Sequence, residues 1–431
     1  MASQYTRPDS PATMQSPSAG TRLNGIDMAR GAALLAMMAT HILPVISPDA
    51  AGHPVPTWAG LLVSGRAAAL FAVLAGVSLS LGRVPAARNR LGLALRAAVI
   101  FAVGLSLGTL SGDVSIILVD YGALFLCAIP VLRLGQRALG ALAISWILLA
   151  PIAAYALRTV LRDGSSPLRL GHNPAWLDLK DPVTFLADVG VTGNYPVIVW
   201  FGYILAGLWI GRLPLRQRRT QIGLLAGGAA AAVLAKVAEW VLLGPLGGRA
   251  ALLATPQASD GTLDALLRTD FSDVDQTGSA WWLATAAPHS GTTLDLVHTI
   301  GTAAAVLAGF LLVSRIRMVE RSGVLIPLAG AGAMTLTLYT GHVAAVAWSQ
   351  NGADRSLDGG WLLAVHVLVA LAAGLVFRLK GWRGPLERVT HAAYRLGIRP
   401  RPDDGGATAT PEAHPGEARP APAASTRDAA R

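Results

Sequence analysis

Apolar runs long enough to cross the roughly 30 Å of bilayer hydrocarbon begin near Leu23, Trp58, Leu91, Val114, Ala138, Tyr195, Thr220, Leu296, Val324 and Trp361. Each reads as a helix, because a backbone in lipid must satisfy its own N–H and C=O groups. The chain is 53% hydrophobic and only 14% charged, and no ordinary soluble domain of this length can hide that much apolar surface. The expected fold is an all-α polytopic transmembrane helix bundle of about ten spans.

Every second connecting loop is basic: Arg83, Arg88, Arg90 and Arg96; Arg133 and Arg137; Arg212, Arg216, Arg218 and Arg219; Arg315, Arg317 and Arg321; Arg378, Lys380, Arg383 and Arg388. The positive-inside rule puts these loops and both termini in the cytoplasm, with the chain in the plasma membrane. The intervening loops, Ile46 to Thr57, Arg158 to Asn194, Leu243 to Asp295 and Asn351 to Gly360, hold acidic residues that match or outnumber the basic ones, and read as extracytoplasmic. Topology thus accounts for the net charge of +10, and nucleic acid is not an expected partner. Residues 1–21 read as a disordered cytoplasmic N-terminus without a cleaved signal peptide. Residues 22–393 form the bundle, in halves 22–242 and 243–393, and 394–431 read as a disordered cytoplasmic tail. The single cysteine, Cys127, excludes an intrachain disulfide framework and is expected to be packed in the core.

Within the first span three ionisable residues survive: Asp27, Arg30 and His41. Such side chains cost about 2.5–3.5 kcal/mol each at bilayer depth on insertion scales, so a helix that keeps them has a use for them. Arg30 and His41 are eleven residues apart, which at about 100° per residue leaves them within roughly 20° of each other and about 16 Å apart along the axis. Asp27 precedes Arg30 by one turn on the same side.

The histidines His41, His53, His289, His298 and His342 all fall at or near the outer face, where a group titrating near neutrality can act as a general base. His53 and His366 read more simply as interfacial histidines bonded to a neighbouring carbonyl. Asp295 and His298, one turn apart, form either an oriented imidazole or a helix N-cap beside an unrelated histidine. Ser290 stands between His289 and this pair, in the run PHSGTTLD. Arg66 and Asp120 must face the bundle interior, as substrate-binding groups or as a structural ion pair, and Lys236 and Glu239 read as a simple pair. No zinc-type spacing occurs, and no metal is expected. Gly104, Gly108 and Gly112 read as close helix packing, and Gly104-Leu-Ser106-Leu-Gly108 matches a hydrolase nucleophile elbow only by chance, since it lies within a helix. The outer loop 243–295 carries Asp260, Asp264, Asp270, Asp273, Asp275, Trp281 and Trp282; residues 255–278 are either a binding lid or a solvated acidic linker.

The pattern Ile26-Asp27-x-x-Arg30-Gly31, with His41 eleven residues after the arginine, resembles the first helix of the transmembrane acyltransferase superfamily, including acyltransferase family three. The second span, WAGLLVSGRAAALFAVLAGVSLSL, is similar to the heparan-alpha-glucosaminide N-acetyltransferase family, and Phe71, Leu74 and Gly76 to the superfamily's Phe-x-x-Leu-x-Gly segment. PHSGTTLDLVHT, GAMTLTLYTGH and RGPLERV resemble a bacterial domain of unknown function, family 418. In the lysosomal N-acetyltransferase the histidine considered catalytic stands three residues before a Trp that matches Trp58; here Val55 holds that place and His53 lies two residues further back.

The resemblance implies an integral membrane acyltransferase that moves an acyl group, most simply acetyl, from cytoplasmic acetyl-CoA or another acyl-CoA to an extracytoplasmic glycan or small-molecule acceptor. It implies His41 or His53 as base, with His41 favoured for its register with Arg30. Arg30 and Asp27 then lie toward the donor, and Arg66, Asp120, His289, Ser290, Asp295, His298 and His342 toward the substrates. Homo-oligomerisation is left open. The rival class is a transporter or flippase, but neither inverted repeats nor Gly/Pro-interrupted spans are evident in the sequence.

Overall fold

The computed structural model describes residues 23–81, 89–110, 114–163, 169–259, 261–351 and 358–398. The expected disordered ends, apart from the helical residues just before 398, and Arg83, Arg88, Gly112 and Asp260 lie outside the described residues.

Helix α1 (Asn24–Ile42) stops because Leu43, which precedes Pro44, is forced into extended backbone with ψ 141°. A small hairpin, β1 (Ile46–Pro48) and β2 (Pro54–Pro56), leads to α2 (Trp58–Leu62) and α3 (Arg66–Ser80). These two helices make one span broken at Gly65, whose φ of +68° ends the first and starts the second. Then follow α4 (Arg90–Gly108), α5 (Leu118–Val131) and α6 (Gln136–Asp163). A short α7 (Pro182–Ala187) and a π-turn meet α8 (Val197–Gly211) at 50°, and α9 (Arg218–Leu243) runs to the long outer loop. That loop holds α10 (Gly248–Leu253) and α11 (Leu263–Thr269). The chain ends in α12 (Thr293–Val313), α13 (Arg317–Ser322), α14 (Ile326–Ala333), α15 (Thr335–Asn351), α16 (Gly359–Leu379) and α17 (Pro385–Leu396).

The fold is an all-α bundle. Among the described residues six helical stretches are long and apolar enough to cross a membrane, or seven if the bent α7–α8 pair is one span. The other expected spans are irregular for identifiable reasons. The polar residues of α1 dilute its apolar run. In α5 only 14 residues are helical, because Asn173 holds 114–116 outside the helix: it accepts the Ile116 N–H at 2.7 Å and donates to the Val114 carbonyl at 2.8 Å. The ninth span breaks at Met334, between α14 and α15. Interrupted spans are therefore present at three places, contrary to the reading of the sequence, which missed them because single glycines and short polar steps leave the apolar run unbroken.

The core is built from α1, α3, α8 and α12, with Ala29, Leu34, Met38, Leu74, Ile204, Leu296 and Leu307 buried together. Helix α14 lies so close to α1 that a Cβ on Gly332 would meet the Asp27 carbonyl oxygen at 1.7 Å, the intimate small-residue contact by which helices associate in lipid. The outward faces of α6, α9 and α16 expose Leu149, Leu234, Trp240 and Leu368, as lipid-facing surfaces do. Cys127 is exposed on α5 rather than packed in the core, beside the exposed Leu126. Residues 243–259 and 261–287 form a folded cap, not an acidic linker, around Leu252, Leu263, Phe271 and Trp282. Residues 394–396, assigned to the tail from sequence, complete α17.

Candidate active site

The charged stripe of α1 is held in place at its start. Arg30 Nη1 lies 2.9 Å from Asp27 Oδ1, and Arg378 of α16 lies 3.8 Å from the other carboxylate oxygen and donates to Asn24 at 2.8 Å. Arg30 also donates to the Ser78 hydroxyl. Two cations on one buried carboxylate offset its desolvation and leave the Arg30 guanidinium on the wall of a cavity of about 170 Å³. Ser78, Arg96, Tyr121, Tyr339 and Glu387 share that wall. Glu387 of α17 fixes its far end by accepting the N–H groups of Leu336 (2.8 Å) and Thr337 (3.2 Å) at the start of α15.

A second cavity, of about 440 Å³, opens around the other end of α1 and is lined by His41, Ser64, Ser115, Tyr195, Asp270 and His289. It falls within the size range of roughly 300–1,000 Å³ typical of small-molecule sites, whereas the first is narrower. Met37, one turn before His41, lines both cavities and is 2% exposed. Met37 is the residue that the two linings share.

At this junction Nδ1 of His41 lies 3.2 Å from Nε2 of His342, and the two rings are stacked with centroids 5.3 Å apart. Tyr339 presents an edge to His41 at 6.0 Å. His366 presents its edge to His342 at 5.0 Å while its Nδ1 faces the Leu362 carbonyl at 2.9 Å, so the expected carbonyl bond is present and the ring also extends the histidine row.

Across the larger cavity His289 takes a left-handed backbone, φ +61°, alone among the described non-glycine residues. Its Nδ1 lies 2.8 Å from Asp270 Oδ1, which also accepts the N–H and the hydroxyl of Ser272, each at 2.9 Å. The loop is tied down on several sides. Phe271 N–H donates to the Pro288 carbonyl at 2.9 Å, and Lys236 and Glu239 grip the carbonyl and N–H of Ala286 at 2.9 and 2.5 Å. Burial disfavours the charged form of His289, but the Asp270 carboxylate and its hydrogen bond outweigh burial and hold the imidazole pKa above its ordinary value. For Asp270, burial acts upward, and the His289 charge and hydrogen bond, with the Ser272 donors, hold the carboxyl below its usual range.

Several of the sequence-selected residues are elsewhere. His53 sits on the exposed hairpin, its side chain 76% accessible, 3.5 Å from Asp49, and does not line either cavity. Asp295 and His298 do not pair. Asp295 accepts the Gly291 N–H at 3.1 Å at the start of α12, while His298 turns to the Ala232 carbonyl of α9 at 3.0 Å. Nor is Asp295 the N-cap: Thr292 is, its side chain accepting the Asp295 N–H, and Asp295 lies in the first turn. Ser290 is buried at 2% and faces Thr292 at 3.4 Å. Arg66 donates to the Ser64 carbonyl at 3.4 Å and makes no ion pair with Asp120, which is buried at the start of α5. Lys236 and Glu239 pair at 2.9 Å as expected. Asp270, Tyr195, Ser115, Arg96, Tyr121 and Met37 were not singled out as site residues; only an intramembrane arginine, Arg96, carried a signal, and it had been read as a topology charge. No group of three or more His, Cys, Asp or Glu is placed to hold a metal among the described residues.

No curated protein matches the chain. The family model described as "Heparan-alpha-glucosaminide N-acetyltransferase, catalytic" matches residues 22–243, more than half of the 431 residues. The match takes in α1 with both of its cavity faces, the broken second span and the α4–α9 wall, and the chain belongs to the heparan-alpha-glucosaminide N-acetyltransferase catalytic family.

Proposed function

We propose that the protein transfers an acetyl group from acetyl-CoA, entering from the cytoplasmic end, to an acceptor hydroxyl or amine entering from the opposite end. The observation that carries this reading is a pair of cavities along α1 whose linings share Met37, with His41 one turn away. The narrower cavity, bearing Arg30 and Arg96, suits the slender pantetheine arm of a thioester, whose anionic remainder stays at the basic cytoplasmic rim. The wider cavity suits a sugar ring, and a wall or envelope glycan is the acceptor class. Sidedness follows from the positive-inside distribution of the loop arginines, which also puts both termini in the cytoplasm of a plasma-membrane protein with about ten spans.

Family membership supports acetyl transfer. The chemistry asks for a proton acceptor near the acceptor group and for a donor near the developing oxyanion, and the cavity junction offers imidazoles for both. The three interrupted spans favour the rival transporter reading, since such breaks line substrate paths in transporters; CoA release separates the two. Purified protein in nanodiscs, given radiolabelled acetyl-CoA and a panel of amino and hydroxyl sugars, should release CoA and label the sugar. His41→Ala should abolish both, and Arg30→Ala should raise KM for acetyl-CoA while Arg378 keeps Asp27 paired. Acceptor movement across the bilayer without CoA release would replace this reading by the transporter.

A further inference from the structure

We infer that His289, oriented by Asp270, is the general base that takes the acceptor's proton, and that His41 serves the same reaction as a hydrogen-bond donor. The inference rests on the acetyl-transfer reading above and divides its chemistry between two walls of one cavity.

The tautomer of each ring follows from its neighbours. An ionised carboxylate can only accept, so Asp270 Oδ1, 2.8 Å away, places a proton on His289 Nδ1. The neutral ring then carries its lone pair on Nε2, and this ring lines the larger cavity. Asp270 cannot swing away, because the same oxygen holds both donors of Ser272. This carboxylate–imidazole arrangement orients the ring and strengthens it as a base.

His41 is constrained the other way. Its Nδ1 faces His342 Nε2 at 3.2 Å, and His342 Nδ1 is buried with no partner in a residue 3% exposed. If His41 donated, His342 would be left with a buried, unpaired N–H, which proteins avoid more strictly than a bare lone pair. His342 therefore donates from Nε2, His41 accepts at Nδ1, and the His41 proton sits on Nε2. A ring in that state gives a hydrogen bond and cannot take the acceptor's proton at Nε2.

The backbone supports the assignment independently. A left-handed non-glycine residue is strained and persists where the surroundings impose it. Here Asp270 and the Phe271–Pro288 bond hold the turn, and a Cβ on Gly65 would meet Pro288 at 2.7 Å. In the step proposed, the acceptor gives its proton to His289 Nε2, its oxygen or nitrogen forms a bond to the acetyl carbon, and the C–S bond breaks. The thiolate leaves with the electron pair and is protonated from the cytoplasmic cavity, while His289 returns its proton to water in the outer cavity.

The titratable and charged groups that face His289 are Asp270 and Asp273 of the loop, Asp295 of α12, His41 of α1 and Tyr195 before α8. The test compares wild type, His289→Gly and Asp270→Asn in nanodiscs with acetyl-CoA and an acceptor panel headed by methyl α-D-glucosaminide. Glycine suits the left-handed backbone, so His289→Gly removes the ring without adding strain. Its kcat should fall about 10²–10⁴-fold, with acetyl-CoA binding unchanged, and added imidazole should restore part of the rate. In Asp270→Asn the acidic limb of the pH–rate profile, where the base loses its proton, should move to lower pH, and this variant reports on the pair even if the glycine variant does not fold. An active wild type with His289→Gly equally active, or inactive without imidazole rescue while the Asp270→Asn profile stays unmoved, overturns the base assignment alone. A wild type that releases no CoA with any acceptor overturns the acetyl-transfer reading and this assignment with it.

Discussion

His41 and His342 come from helices 301 residues apart, yet their rings stack with Nδ1 and Nε2 separated by 3.2 Å. The contact fixes the orientation of the imidazole nearest the cavity junction. His342→Leu keeps the bulk and removes the hydrogen bond. Loss of such an orienting partner typically costs about 10–100-fold in activity, so kcat for CoA release should drop by that order, with KM for acetyl-CoA unchanged. Steady-state kinetics at saturating acceptor checks this.

Met37 is common to the walls of the two cavities. Met37→Trp should block acyl transfer and leave acetyl-CoA binding intact. Met37→Ala should admit water to the thioester, giving CoA release without acceptor. Comparing CoA release with and without acceptor in each variant reads both effects, and equal coupling in Met37→Ala and wild type would show that the side chain is not the barrier.

Gly332 cannot carry a side chain without moving α14 off α1, since its Cβ would meet the Asp27 carbonyl oxygen at 1.7 Å. Overpacking of this kind costs typically about 1–3 kcal/mol, and Gly332→Ala should lower the thermal midpoint in detergent. Gly341→Ala is the control: nothing lies within 4 Å of a Cβ there, and alanine favours the helix.

The Asp270–His289 pair should make the anchoring of the outer cap depend on pH. His289 is raised above its ordinary value, so its contribution is complete below about pH 6.5 and is lost as pH rises through the higher folded pKa. Asp270 is lowered, so its contribution is present above about pH 4 and is lost as pH falls through the lower folded pKa. Protection of residues 270–289 against hydrogen exchange should therefore be greatest between about pH 4 and 6.5, and Asp270→Asn should flatten the profile.

The helical bundle was legible in the sequence because apolar length is a local property, and the α1 stripe because helix geometry converts spacing into direction. Arg30 and His41 do line successive cavities along one helix. What local reasoning could not supply was the neighbour that each side chain would choose. Asp295 and His298 share a face, but the free N–H of Gly291 claims the carboxylate and the Ala232 carbonyl claims the imidazole. His53 lies close in sequence to the matching tryptophan, and the hairpin turns it outward. Asp270 looked like one of several loop acids, and only the folded cap brings it to His289. The nineteen helical residues of α1 displayed their purpose; the partners of His41 and His289 came from tertiary packing.

Two cavities that share Met37 in their walls have an electrical consequence. Where both cavities fill with water, a membrane voltage no longer falls evenly over the bilayer but is concentrated across the layer between them, around Met37 and His41. Moving one elementary charge through a full 100 mV is worth about 2.3 kcal/mol, and any charge that shifts within that layer feels much of it. Turnover in an energised vesicle should then differ from turnover in a nanodisc, with the sign set by whether negative charge moves toward or away from the cytoplasm as the C–S bond opens.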